Sequence, residues 1–198
     1  MGLPQTCGTA VIMATIVYAS VDGHTRKIAE AMAGQLRDAG EHVSLLPLAD
    51  FDIDAFSQSD SLVSGPLIIG ASIRYGVHCH KFDNWVIQHL EQLQSLGAAF
   101  FSVNLVARKA QKCAPDTNPY TRKFLQKTGW KPALAAVFAG RLNYPVYGFW
   151  DKLMIRFIMW MTGGPTDPAT DIEYTDWSVV AKFAQACLTL NANTSSIR

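Results

Sequence analysis

At 198 residues the chain is about one and a half times a common domain, so one domain carrying an insertion is expected rather than two domains. With 49% hydrophobic and 17% charged residues it is too apolar to remain disordered. Cys7, Cys79, Cys113 and Cys187 stand far apart with no Cys-x-x-Cys pair, which indicates neither a disulfide framework nor a zinc ribbon and points to a reducing compartment.

The formal charge of +1 hides a segregation: Arg108 to Arg156 holds ten Lys and Arg against Asp116 and Asp151, and the remainder holds seven against fourteen. Such a separation suits an anionic substrate or anionic lipid, the plainer alternative being a solvated face. No nucleic-acid-binding motif accompanies the charge, so no nucleic-acid partner is expected.

Residues 1–21 carry no charged side chain, and the apolar run Ala10 to Ala19 lacks the basic segment that precedes a signal peptide's core. About ten apolar residues are too few to span a bilayer and read as a first strand buried on both faces. Residues 1–12, ahead of Met13, read as an extension outside the domain, such as an upstream start codon would add. Ile28, Ala29, Met32, Ala33 and Leu36 recur at helical spacing, with Gly40 closing the helix. His42 to Leu46 predicts a second strand. Pro66 to Gly70 follows the acidic stretch from Asp50 to Asp60 as a third, with proline tolerated at its first position.

Phe82, Trp85, Val86, His89, Leu90, Leu93 and Leu96 predict one helical stripe. Ala98 to Val103 predicts the fourth strand, Tyr120 to Thr128 a basic helix and Ala133 to Ala139 the fifth strand. Trp177, Val180, Ala181, Ala184 and Leu188 predict the last helix. Strands alternating with helices predict an α/β protein with a doubly wound, five-stranded parallel sheet, 13–192 forming one domain. Arg141 to Thr170 has no slot in that unit and reads as an insertion after or within the fifth strand.

Doubly wound sheets bind ligands at the carboxyl ends of their strands, so the loops there are the candidate site. After strand one, Ser20-Val21-Asp22-Gly23-His24-Thr25 places two hydroxyls and a glycine at a helix start. That pattern makes either a phosphate cradle or an ordinary N-cap turn. It is neither Gly-x-Gly-x-x-Gly nor a Walker loop, which argues against dinucleotides and ATP. After strand three, Gly70 to Gly76 offers small residues, an aromatic and a cation for a planar ring. After strand four, Ser102 to Lys109 offers backbone and Asn104 for its polar edge. His78 and His80, flanking Cys79, do not face one way at a helix start; they read as exposed polar residues, and no metal site is expected.

These residues resemble the flavodoxin-fold family, and within it the bacterial quinone-dependent protoporphyrinogen IX dehydrogenases. The matching segments are Ser20 to Thr25, Ile69 to Gly76, Phe101 to Lys109, Tyr144 to Tyr147, Met154 to Gly164 and Tyr174 to Trp177. The resemblance runs from about Met13 to the last helix. It implies one non-covalent FMN, its phosphate on Ser20, Val21, Asp22, Gly23, His24 and Thr25. Its ring would lie between Ser72, Ile73, Arg74 and Tyr75 on one side and Ser102, Val103, Asn104 and Leu105 on the other. Flavodoxins usually carry threonine where Asp22 stands; a carboxylate there repels phosphate unless it turns away to bond the turn backbone.

The resemblance further implies oxidation of protoporphyrinogen IX to protoporphyrin IX, with menaquinone or ubiquinone as acceptor, in haem biosynthesis. The expected location is peripheral, on the cytoplasmic face of the bacterial inner membrane. A flavodoxin-like NAD(P)H:quinone reductase and a non-enzymatic FMN electron carrier are the alternatives. The basic half argues against a simple carrier, since acidic flavodoxins dock on basic partners. No residue is selected as a catalytic base, and Asn104 is the one candidate for orienting the ring.

Within the insertion, Val146 to Thr162 is nearly all apolar and aromatic, with charges only at Asp151, Lys152 and Arg156. Seventeen helical residues span about 25 Å, short of the roughly 30 Å hydrocarbon core, so such a helix suits the membrane surface better than a crossing. A covered core helix and a dimer interface are the alternatives. Arg74, Arg108, Lys109, Arg122 and Lys123, with Tyr147, Trp150, Arg156 and Trp160 of the insertion, are the candidates for contact with substrate propionates or the membrane.

Overall fold

The computed structural model describes residues 13–58, 64–161 and 163–194; the predicted 1–12 extension and Ala10 to Ile12 of the first strand lie outside them. Five parallel strands form the central sheet: β1 (Met13–Ala19), β2 (His42–Pro47), β3 (Ser64–Arg74), β5 (Ala99–Asn104) and β6 (Ala135–Ala139). Their order, β2-β1-β3-β5-β6, reverses direction between β1 and β3, the doubly wound arrangement predicted. Ala14, Thr15, Ile16 and Val17 are all buried, because helices cover both faces and the strand cannot alternate inward and outward residues.

On one face, α1 (His24–Asp38) and α7 (Trp177–Thr194) pack over Ile16, Ile68 and Phe101, with Ile28, Met32 and Leu36 fully buried at the predicted spacing. On the other, α3 (His80–Gln88), α4 (Leu90–Ser95) and α5 (Pro119–Thr128) enclose Phe82, Phe100, Phe124 and Trp130. A short α2 (Ile53–Gln58) starts on Asp52, whose carboxylate accepts from the amides of Asp54 and Ala55 at 2.9 and 3.0 Å.

Two predicted elements differ. The stripe from Phe82 to Leu96 is two helices, because His89 leaves the helical region at φ −110°, ψ 24°. The third strand does not stop at Gly70 but runs on to Arg74, and Tyr75 and Gly76 turn it back into β4 (Val77–His78). Both turn residues have positive φ, 53° and 83°, the backbone that matches a tight hairpin to strand twist. Gly70 is required by packing: a Cβ there would lie 2.0 Å from the Phe101 ring.

The insertion follows the fifth parallel strand. Strand β7 (Arg141–Asn143) pairs antiparallel with β8 (Asp171–Glu173), and between them runs α6 (Phe149–Met161). Leu142, Tyr144, Tyr147, Ile155 and Met159 form a small core separate from the two that flank the sheet.

Candidate functional site

The loop after β1 does not make an ordinary side-chain N-cap. Gly23 is the residue preceding α1, at φ 79°, and no side chain caps its amides. Ser20 Oγ and Thr25 Oγ1 are buried without a hydrogen-bond partner, an expensive arrangement unless a ligand completes it. Two unmatched hydroxyls beside uncapped helix amides are the donor set that a phosphate takes. His24 Nε2 donates to Thr175 Oγ1 at 2.7 Å: the Thr175 hydroxyl gives its own proton to Ala139 O, also at 2.7 Å, and can only accept from the ring. Burial lowers the His24 pKa, favouring the neutral ring with Nδ1 as an acceptor.

The Asp22 carboxylate turns to a side chain rather than to the loop backbone: it faces the Arg74 guanidinium at 3.7 Å. Arg74 Nη2 in turn donates to Asp151 Oδ2 at 2.6 Å, and the Tyr75 hydroxyl donates to Asp151 Oδ1. Burial and the bond to Asp151 both raise the Tyr75 pKa, so the phenol stays a neutral donor. Through these contacts the insertion helix is fastened to the hairpin after β3. Sequence reading missed Asp151 in this role because 77 positions separate the partners.

His78 is a correction. It is buried, not exposed, in a cage of Phe82, Phe100 and Phe124, and its Nδ1 bonds Ser72 O at 3.0 Å. Loss of hydration pushes its pKa down to about 4, so near neutrality the ring is uncharged. His80 is exposed as expected, and so is Cys79 between the two histidines. Among the described residues there is no cluster of three or more His, Cys, Asp or Glu that could hold a metal.

After β5, Asn104 Oδ1 accepts from Ala107 N and from Asn118 Nδ2, both at 3.1 Å, while its own Nδ2 is buried without a partner. Asn118, fully buried, also caps α5 and holds Lys112 O, so it fixes this loop to its neighbour. The Asn-Pro pair at 118–119 signals that cap in sequence, since proline is favoured at a first helical position.

These pieces enclose a cavity of about 300 Å³. Asp22, His24, Thr25, the hairpin from Ser72 to Gly76, and Val103, Asn104 and Leu105 line one side; Tyr147, Ile155, Ile158 and Met159 line the other. Ser102 lies buried within β5 rather than on the wall, its Oγ unpartnered. Ser20 and Val21 are not on this wall; with Ser72, which lines both, they border a second cavity of about 570 Å³ beside Phe51, Phe82 and Trp85.

The expected contact residues divide. Arg108 and Tyr147 line the first cavity; Arg108 Nη1 donates to Leu105 O at 3.0 Å, and Tyr147 is too buried to reach a bilayer. Lys109 is half-buried, while Arg122, Lys123, Trp150, Arg156 and Trp160 are exposed. On α6 only Ile155 and Met159 point into the small core. Phe149, Trp150 and Trp160 are 75%, 74% and 70% exposed, so within this chain α6 is not a covered core helix. No described helix is long and apolar enough to cross a membrane.

Residues 15–169 match the family described as a flavodoxin domain. A Leishmania major protein named protoporphyrinogen IX dehydrogenase (quinone) is 43% identical over 170 residues, 85% of this chain and 71% of that protein. The Escherichia coli K12 protein of the same name is 42% identical over 86% of this chain and 91% of its own length. The rubredoxin oxygen:oxidoreductase structure from Desulfovibrio gigas shares the fold at 15% identity, TM-score 0.50, over 91% of this chain and 36% of that one. A flavin is the cofactor of this fold, and the unmatched donors at Ser20, Thr25 and Asn104 fit one. The chain therefore belongs to the flavodoxin-domain family of quinone-dependent protoporphyrinogen IX dehydrogenases.

Proposed function

We propose that this protein oxidises protoporphyrinogen IX to protoporphyrin IX with FMN as its cofactor and menaquinone or ubiquinone as acceptor, working at a membrane surface. The observation that carries this reading is the cavity, in which loops suited to a flavin face an apolar wall supplied by the insertion. Bound flavin supplies reversible two-electron chemistry, taking electrons from one substrate and releasing them to another.

FMN is favoured over a dinucleotide because the loop after β1 offers one phosphate seat and no Gly-x-Gly-x-x-Gly turn. Ile155, Ile158 and Met159 would exclude water and face an apolar macrocycle, while Arg74 and Arg108 suit its carboxylates. The exposed aromatic face of α6, with Lys152 and Arg156 on the same helix, suits anionic lipid, where a lipophilic quinone resides. That supports a peripheral location at a membrane surface; the competing use of the face is contact between two copies.

The test is an anaerobic assay of the flavin-loaded protein with protoporphyrinogen IX, following porphyrin fluorescence. Turnover is expected only when a menaquinone or ubiquinone analogue is present. Reduction of quinone by NADPH, with no porphyrin formed from protoporphyrinogen, would replace this reading with the soluble reductase. Electron delivery only to a protein partner would replace it with the carrier.

A further inference from the structure

Arg74 and Tyr75 form a ready-made receptor for a carboxylate. Each oxygen of Asp151 takes one donor, Oδ2 from Arg74 Nη2 at 2.6 Å and Oδ1 from the Tyr75 hydroxyl. Both residues line the cavity wall. The guanidinium has donors to spare: Nη1 faces Asp22 at 3.7 Å, beyond hydrogen-bond distance, and Nε is buried with no partner. Tyr75 is the only described non-glycine residue at positive φ, and a backbone of that kind commonly persists where a geometry is used.

The carboxylate on this receptor belongs to a helix that buries few of its own side chains. Helix α6 contributes Ile155 and Met159 to the small core and turns most of its remaining apolar residues to solvent. Asp151, with Asp116, is one of two acidic residues from Arg108 to Arg156. An acidic residue that meets the cavity's own arginine and tyrosine competes with any anionic ligand for them.

We propose that the Arg74–Tyr75 pair is the seat for a carboxylate of the substrate, and that Asp151 is an internal stand-in which the substrate displaces, releasing α6 as it enters. The exchange makes and breaks no covalent bond: one carboxylate leaves the two donors for water and another takes its place, so the charge at the seat is unchanged. Release of Asp151 removes the polar link between α6 and the hairpin, leaving Ile155 and Met159 as its principal anchor. Substrate charge and lid opening are thereby coupled, and an uncharged analogue lacks the means to open the lid. This inference rests on the porphyrinogen reading above.

The test titrates flavin-loaded protein with protoporphyrin IX, a diacid, and with its dimethyl ester, following porphyrin fluorescence. Asp151→Asn removes the competing charge at nearly constant shape. It is expected to tighten diacid binding about fivefold, the scale of one exposed ion pair, and to leave ester binding unchanged. Arg74→Gln is expected to abolish the preference for the diacid. Hydrogen exchange on the wild-type protein provides a measurement independent of any variant: the diacid should speed exchange across residues 149–161 and the ester should not.

Equal or weaker diacid binding by D151N, an equal shift for the ester, or unchanged exchange in α6 with the diacid bound would each overturn the stand-in role while leaving the porphyrinogen reading intact. If wild-type protein binds neither porphyrin, the reading itself fails and takes this inference with it.

Discussion

His78 shows how one buried side chain serves the site at a cost in acid. Its Nδ1 anchors the carbonyl of Ser72 at the start of the hairpin, while the Phe82, Phe100 and Phe124 cage denies the ring the water that would stabilise its charge. The neighbouring Asp83 carboxylate works the other way but is outweighed by burial. An ordinary histidine titrates near 6.5 and this one near 4, so between those values the unfolded chain binds a proton that the folded ring refuses. Stability is therefore full above about pH 6.5 and falls as pH drops toward 4, by about 3 kcal/mol for a difference of this size. Urea unfolding at pH 7 and pH 4.5 measures the loss. His78→Asn, whose amide nitrogen stands where Nδ1 does and keeps a donor for Ser72 O, should flatten the decline; an unchanged pH dependence would assign it to other groups. Sequence could not place His78, because its burial comes from strands and helices distant in the chain. Asn118 was closer to legible, since the Asn-Pro pair marks a helix start.

At the scale of elements, the apolar helix was legible and its orientation was not. Its composition marked a helix over Val146 to Thr162, and α6 occupies Phe149–Met161, closed by Gly163 at φ 68°. Nothing local says that Ile155 and Met159 turn inward while Trp150 and Trp160 turn out. That choice is made by Leu142, Tyr144 and Tyr147, which form the small core only once β7 and β8 have paired. The hairpin after β3 was hidden in the same way, since Ser72 to Arg74 reads as loop until β4 supplies its partner. If the outward face meets lipid, replacing Trp150 and Trp160 together with glutamine should abolish co-sedimentation with phosphatidylglycerol vesicles. Unfolding free energy should change by no more than about 0.5 kcal/mol, as exposed positions generally do. Undiminished vesicle binding would sink the lipid contact, and a fall in dimer mass would assign the face to a second copy.

For the whole molecule, the parallel sheet was readable because each strand–helix unit carries its own period, whereas the insertion's return limb is secured by partners far apart in sequence. Arg141 clasps Asp171, Lys27 bonds Glu173 at 2.7 Å, and His24 meets Thr175 at 2.7 Å. The limb after α6 is thus stitched to the start of α1, and α6 itself hangs between two fixed ends over the cavity. This arrangement lets a flavin-domain scaffold acquire an apolar, cation-flanked chamber without altering its sheet. The most direct measurement mixes the oxidised, flavin-loaded protein anaerobically with protoporphyrinogen IX alone and follows flavin absorbance before any quinone is added. Rapid bleaching, with porphyrin formed in proportion and colour restored when a menaquinone analogue is supplied, is the expected result. A flavin that stays oxidised with porphyrinogen and bleaches with NADPH would contradict the account.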